Sequence, residues 1–258
     1  MSHPYTLEVC VDSTASALAA KRGGAHRLEL CADLIVGGTT PSLALLRQVK
    51  AATGLPVRAL LRPRFGDFCY DSYELAQMEQ CAAELVAAGA DGIVTGALTP
   101  DGALDVDALR PVYAAATRAA QAAGRPVALT LHRAFDVCRD PFAALDAAKQ
   151  LGLATILTSG QAASAPAGAQ LLRALVAAAG QQIEILAGAG VNADNIPQLA
   201  AGTGVHAFHL SGKKVLDSRM TFRREGVPMG LPGISEFALW QTDEESIRAA
   251  RTALDGLK

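Results

Sequence analysis

The chain has 258 residues, half of them hydrophobic, and a formal net charge of −2 from 23 Lys and Arg against 25 Asp and Glu. That length buries a large core and is near the usual size of one (β/α)8 barrel. The balanced charge, with no dominant Lys/Arg cluster, argues against nucleic acid. No apolar run approaches the roughly 18–20 residues of a membrane span, and the segment after Met1 lacks the basic and apolar regions of a secretory signal. A soluble, cytoplasmic protein with no membrane or nucleic-acid partner is expected.

Strand-like runs alternate with helical stretches along the whole chain. The predicted strands are Thr6–Asp12, Arg27–Cys31, Val57–Arg62, Gly92–Thr95, Val127–His132, Thr155–Thr158, Ile183–Ala187 and His206–Leu210. Such alternation implies right-handed βαβ units and a parallel sheet. Eight units at this length predict closure into a TIM-type barrel, an α/β fold forming one domain over residues 1–258. Helix punctuation agrees: Thr40 can cap with Pro41 following and Gly54 ending the segment, Asp140, Pro141 and Gly152 repeat that grammar, and Asp71 with Glu74 reads as a capping box. A weak repeat supports the barrel: Gly-Gly-Ala-His-Arg-Leu, Ala-Gly-Ala-Asp-Gly-Ile, Leu-Gly-Leu-Ala-Thr-Ile and Thr-Gly-Val-His-Ala-Phe each launch an even-numbered strand. Ser211–Glu236 reads as a long loop over the barrel mouth or against a partner subunit. A last helix over Asp243–Gly256 closes the outer ring.

In such barrels the working face is the C-terminal end of the strands. Polar residues crowd there, and the opposite ends read as far less charged. Alternate strand residues share a face, so Glu8 with Cys10, and Glu29 with Cys31, point together. If the first two strands are neighbours, two carboxylates and two thiols converge. Buried carboxylates need partners, and Arg62 and Arg64 offer guanidinium forks. These charges read equally as a structural ion-pair network or as a site in which one Arg holds a substrate anion. A close thiolate pair suits Cu(I), which prefers sulfur ligands, and a nearby Arg favours the thiolate. The five cysteines stand singly, without C-x-x-C, which argues against a disulfide framework or zinc ribbon. Cys69, Cys81 and Cys138 read as packing or surface residues.

His132 and His209 end the fifth and eighth strands, where an imidazole serves as acid/base or metal ligand. Asp136 lies close by in His132-Arg133-Ala134-Phe135-Asp136. His3, His26 and His206 read as structural or exposed. Gly188 and Gly190 follow the seventh strand and Ser211 the eighth, where many barrels hold phosphate on backbone N–H groups. Thr158 and Ser159 add hydroxyl donors.

The stretches LEVCVDS, GGAHRLELC, GGTTPS, RPRFGDF, GADGIVTGAL, HRAFD, LTSG, GAGV and FHLSG together resemble the CutC copper-homeostasis family from about Leu7 to about Gly230. The resemblance implies a TIM-type barrel, cytoplasmic and often oligomeric. It maps a Cu(I) site onto Cys10 and Cys31, and the family's polar set onto Glu8, Glu29, Arg62, Arg64, His132, Asp136 and His209. Leu131 and Ala189 depart from the family's usual residues without removing a polar group. Two functions are therefore expected as rivals. One is a copper-homeostasis protein binding Cu(I) through the cysteine pair, and working as a homo-oligomer. The other is a TIM-barrel lyase, isomerase or hydrolase acting on a small anionic or phosphorylated metabolite. In that second case Glu8, Glu29, His132, Asp136 and His209 supply acid/base groups, while Arg62, Arg64, Thr158, Ser159, Gly188, Gly190 and Ser211 hold the substrate. A non-catalytic scaffold is a third possibility.

Overall fold

Alternation within each short strand decides what the barrel encloses and what it turns toward the helices. The computed structural model describes residues 5–224, 226–227, 229–230 and 233–257; His3 lies outside them. The first half runs β1 (Thr6–Val11), α1 (Thr14–Arg22), β2 (Arg27–Leu30), α2 (Leu43–Thr53), β3 (Val57–Leu60), α3 (Ser72–Ala87), β4 (Gly92–Thr95) and α4 (Val106–Ala122). The second half runs β5 (Ala128–Leu131), α5 (Pro141–Gln150), β6 (Thr155–Thr158), α6 (Ala169–Ala179), β7 (Glu184–Ala187), α7 (Ile196–Thr203) and β8 (Ala207–Leu210). These eight strands form a closed parallel barrel in chain order, with β8 returning to β1. A two-stranded antiparallel ribbon follows, β9 (Lys213–Asp217) with β10 (Ala238–Thr242), and then α8 (Glu244–Asp255).

Leu7, Val9 and Val11 of β1 and Leu28 and Leu30 of β2 are fully buried in the layer between barrel and helices. The alternate residues face inward. Cys10, Cys31, Leu60 and Val94 make one interior cluster, and Leu157, Leu186 and Ala207 another. The interior is thus part apolar plug and part polar shaft.

The helix stops and starts largely follow the expected chemistry. Asp71 and Glu74 form the capping box of α3, and Asp140 caps α5 with Pro141 in its first turn. Asp243 caps α8 by accepting from the Ser246 N–H. The cap of α2 is Ser42, not Thr40. Thr40 is occupied elsewhere: its hydroxyl and backbone N–H reach the Arg62 carbonyl, and the Arg62 N–H donates back to its Oγ1 at 2.9 Å. The segment expected as one loop over Ser211–Glu236 contains β9. That strand pairs with β10, and the Thr242 N–H at the end of β10 donates to Ser16 Oγ at 3.2 Å.

Candidate functional site

Register places the charged residues before any side chain is considered. Glu8 of β1 stands opposite Arg27 of β2 on one side and His209 of β8 on the other, and Cys10 stands opposite Glu29. Two levels result inside the barrel.

The lower level is an ionic floor. Glu8, 1 % exposed, accepts from Arg27 Nε at 2.5 Å and lies 3.8 Å from Arg58 Nη1. Arg27 also donates to Glu184 at 2.7 Å, and Arg58 donates to the Thr130 and Thr155 hydroxyls at 3.0 Å. Burial alone raises a carboxyl's pKa. Here Arg27, His209 and Arg58 overcome it, and Glu8 is held well below the usual carboxylate range. The expected partners of the buried acids were Arg62 and Arg64; the structure uses Arg27 and Arg58. Arg27 and Glu184 open their strands, so charge is not confined to the C-terminal ends. The alternation rule already put Arg27 on the face of Glu29, and Arg58 on the face of Leu60 and Arg62. That was the signal available for both.

The upper level holds the reactive groups. His209 Nδ1 lies 2.9 Å from Glu8 Oε1, and its Nε2 lies 3.7 Å from Glu29 Oε2. Burial works against an imidazolium, but Cys10, Glu29 and Glu8 reverse that and raise the His209 pKa well above its ordinary value. Glu29 moves the other way from Glu8: burial, reinforced by the Glu8 charge, raises its pKa. Cys31, 1 % exposed, donates its thiol proton to Glu29 Oε2 at 3.6 Å, and burial beside Glu29 and Cys10 raises its pKa strongly. Donor atoms of Cys10, Glu29 and His209 all lie within 4.8 Å of one another. The two cysteines do share one cluster, but among the described residues the group with metal-ligand spacing is Cys10–Glu29–His209. A sulfur, a nitrogen and a carboxylate oxygen at this spacing fit a soft or borderline metal ion. Glu8 on the far nitrogen of His209 supplies the usual carboxylate support for a ligating imidazole.

These groups open into a cavity of about 220 Å³ at the C-terminal mouth, lined also by Arg62, Phe68 and His132. A neighbouring groove of about 410 Å³ lies between the β1 and β2 loops and the ribbon, and Cys10, Leu34, Ser211 and Lys213 line both spaces. Ser211 is therefore at the mouth, as expected.

The other expected residues are bound up elsewhere. Arg64 donates to Glu74 at 2.6 Å and Asp67 at 3.0 Å and holds the β3–α3 loop; it does not line the cavity. Asp136 clamps the loop after β6, accepting from the Thr158 hydroxyl at 2.5 Å and the Ser159 N–H at 3.0 Å, with Arg133 paired at 2.7 Å. Thr158 has the helix-facing parity of Ile156, which explains its turn away from the cavity. The Ser159 hydroxyl donates to the Ala162 carbonyl at 2.7 Å. Gly188 and Gly190 do not line the cavity. A Cβ on Gly188 would meet Leu157 Cδ1 at 2.6 Å, so that glycine makes room for interior packing. His26 accepts from the Leu7 N–H, His206 stacks on Tyr5, Cys69 is exposed, Cys81 is half-buried and Cys138 is buried.

A model of the CutC family matches residues 5–214. The chain belongs to the CutC family. A CutC family protein of Chromobacterium violaceum is 43% identical over 249 residues, covering 96% of this chain and 98% of that protein. The human copper homeostasis protein cutC homolog is 40% identical over 245 residues, covering 95% and 87% respectively. Among solved structures, one described as copper homeostasis protein CutC from Streptococcus agalactiae aligns with a TM-score of 0.74 at 30% identity, over 80% of this chain and 98% of that chain. An oxaloacetate acetylhydrolase aligns with a TM-score of 0.58 at 14% identity over 81% of this chain and 76% of that one, a likeness of fold alone. The family is one of copper homeostasis.

Proposed function

We propose that this protein binds copper as cargo at the barrel mouth, with Cys10 and His209 as the leading ligands. One observation carries the reading: a thiol, an imidazole nitrogen and a carboxylate oxygen of three buried residues gathered within 4.8 Å. Cu(I) favours sulfur and imidazole over oxygen. Cys31 adds a second sulfur once its proton passes to Glu29, whose carboxyl accepts from that thiol already. Metal binding then releases protons from His209 and the thiols, and the Glu8 carboxylate keeps the His209 ring aimed. The test is anaerobic Cu(I) competition titration of the parent, Cys10→Ser, Cys31→Ser and Glu8→Gln. Cys10→Ser abolishes tight binding, Cys31→Ser weakens it, and Glu8→Gln costs about 10–100-fold through the ring's lost support. Parent-like affinity in Cys10→Ser overturns the reading.

The same reading includes the cytoplasm and a homo-oligomer. All five cysteines are unpaired, which suits a reducing compartment; cell fractionation that finds the protein in an oxidising compartment would refute this. Among the described residues no helix is long and apolar enough to cross a membrane. The case for self-association rests on the β9–β10 ribbon, which presents Val215, Leu239 and Trp240 to solvent.

A further inference from the structure

Arg62 is 8% exposed and carries a full charge, yet among the described residues no carboxylate pairs with it. Its Nη1 and Nη2 donate to the neutral carbonyls of Gly38 at 3.1 Å and Gly66 at 2.7 Å, and its Nε–H has no acceptor. The Tyr70 hydroxyl lies beside the Arg62 guanidinium as a neutral neighbour and supplies no counter-charge. The contrast with the floor is direct: there Arg27 and Arg58 both face Glu8. A buried charge without a counter-ion is expensive, so the chain has left the place of an anion open.

His132 has a matching unpartnered donor. It is 5% exposed, and its Nδ1 accepts from the Ala134 N–H at 3.2 Å. That bond puts the proton of a neutral ring on Nε2, and Nε2 is buried with no partner. Burial and the Arg62 charge push the His132 pKa down to about 3, so the ring is a neutral donor near pH 7. Phe68 links the two groups. Its ring centroid lies 5.0 Å from Arg62 Cζ and 4.8 Å from the His132 ring centroid. All three residues line the same cavity.

We propose that this cavity binds a small carboxylate whose oxygens accept hydrogen bonds from Arg62 and from His132 Nε2. The donors on the page select the class. A buried guanidinium without a carboxylate partner and two N–H directions match a planar carboxylate. Phosphate asks for more donors, and most of those expected for it are engaged or lie elsewhere: the Thr158 and Ser159 groups serve Asp136 and Ala162, and Gly188 and Gly190 do not line the cavity, which leaves Ser211 at the rim. The space, about 220 Å³, equals the liquid volume of about seven waters, enough for an acid of a few carbons. A neutral imidazole that donates to an oxygen polarises it without taking its proton. His132 is thus an anion-binding donor rather than the general acid/base that strand position alone suggested. This inference does not depend on copper binding.

The experiment uses full-length, metal-free protein with pyruvate, malonate and inorganic phosphate as probes. Side-chain 1H–15N spectra follow His132, and calorimetry gives affinities. A carboxylate probe shifts the His132 Nε2 resonance, while the ring stays neutral. Arg62→Met and His132→Phe each weaken binding by about tenfold or more, the scale of one hydrogen bond to a charged group. His132→Gln, which retains a donor, recovers part of that loss. The inference is overturned if no carboxylate probe moves His132, if Arg62→Met binds as the parent does, or if phosphate binds in preference. The spectrum of the parent is decisive alone, so a variant that fails to fold leaves the test intact.

Discussion

Two histidines in one mouth have their proton affinities pushed in opposite directions, and the sequence around them gives little hint of it. His209 sits between Glu8 and Glu29, while His132 sits beside Arg62 and Phe68. His132 therefore has a folded pKa of about 3 against an ordinary value near 6.5. Between those values the unfolded chain binds a proton that the folded chain refuses, so this group's contribution to stability falls as pH falls through that window. The slope is about 1.4 kcal/mol per pH unit. Between pH 7 and pH 5, the parent should lose roughly 2 kcal/mol more stability than His132→Gln, which has nothing to titrate. Urea unfolding of both proteins at the two pH values measures this. An equal loss in both would show that His132 protonates freely in the folded state.

At the scale of the element, the β1–β2 pair is where fold and site are the same thing. Leu7, Val9, Leu28 and Leu30 fasten the two strands to the helices, and the alternate residues build the ionic floor and the reactive level above it. Arg27 is the strut between Glu8 and Glu184. Arg27→Met leaves Glu8 buried with only Arg58 and His209 for compensation, and should cost about 3–5 kcal/mol in urea unfolding. Adding Glu8→Leu to that variant should recover part of the loss, because the uncompensated carboxylate is gone while Arg58 keeps its bonds to the Thr130 and Thr155 hydroxyls. A double variant as unstable as the single one would mean that packing, not charge, sets the cost. These strands were legible in the sequence because period-two alternation and Gly-rich launches survive in the residues themselves; β4 and β6 match the expected bounds, β5 is shorter by one residue at each end, and the other barrel strands differ by one or two residues at one end. Inward parity also brought Glu8, Cys10, Glu29 and Cys31 together on paper. What parity could not tell was which arginine reaches which acid. Arg62 and Arg64 looked equivalent in Arg62-Pro63-Arg64, but only Arg62 continues the inward face of β3, and Arg64 falls within reach of Glu74. The loop glycines and Asp136 were legible only as polar loop residues, since their partners come from segments distant in sequence. The ribbon was missed because β9 is exposed along its length, with only Leu216 half-buried, so it has no buried face to produce an alternation.

For the whole molecule, that ribbon is the feature a lone barrel does not need. A two-stranded sheet is marginal in water without a third strand or a covering surface. β9–β10 has cover on the α1 side, where Thr242 meets Ser16, but its outer surface leaves Trp240 45% and Leu239 49% exposed, with Lys213 4.7 Å from the Trp240 ring centroid. Met220 and Phe222 just beyond β9 are exposed as well. Exposed apolar groups on a segment that also lines the mouth's groove would serve best when a second copy covers them. The expected outcome is an oligomer by sedimentation velocity at micromolar concentration. Leu239→Asp with Val215→Asp should shift it to monomer while far-ultraviolet circular dichroism stays unchanged, since the barrel core makes no use of either side chain. A parent that sediments as a monomer throughout would leave the ribbon as a wall of the groove and nothing more.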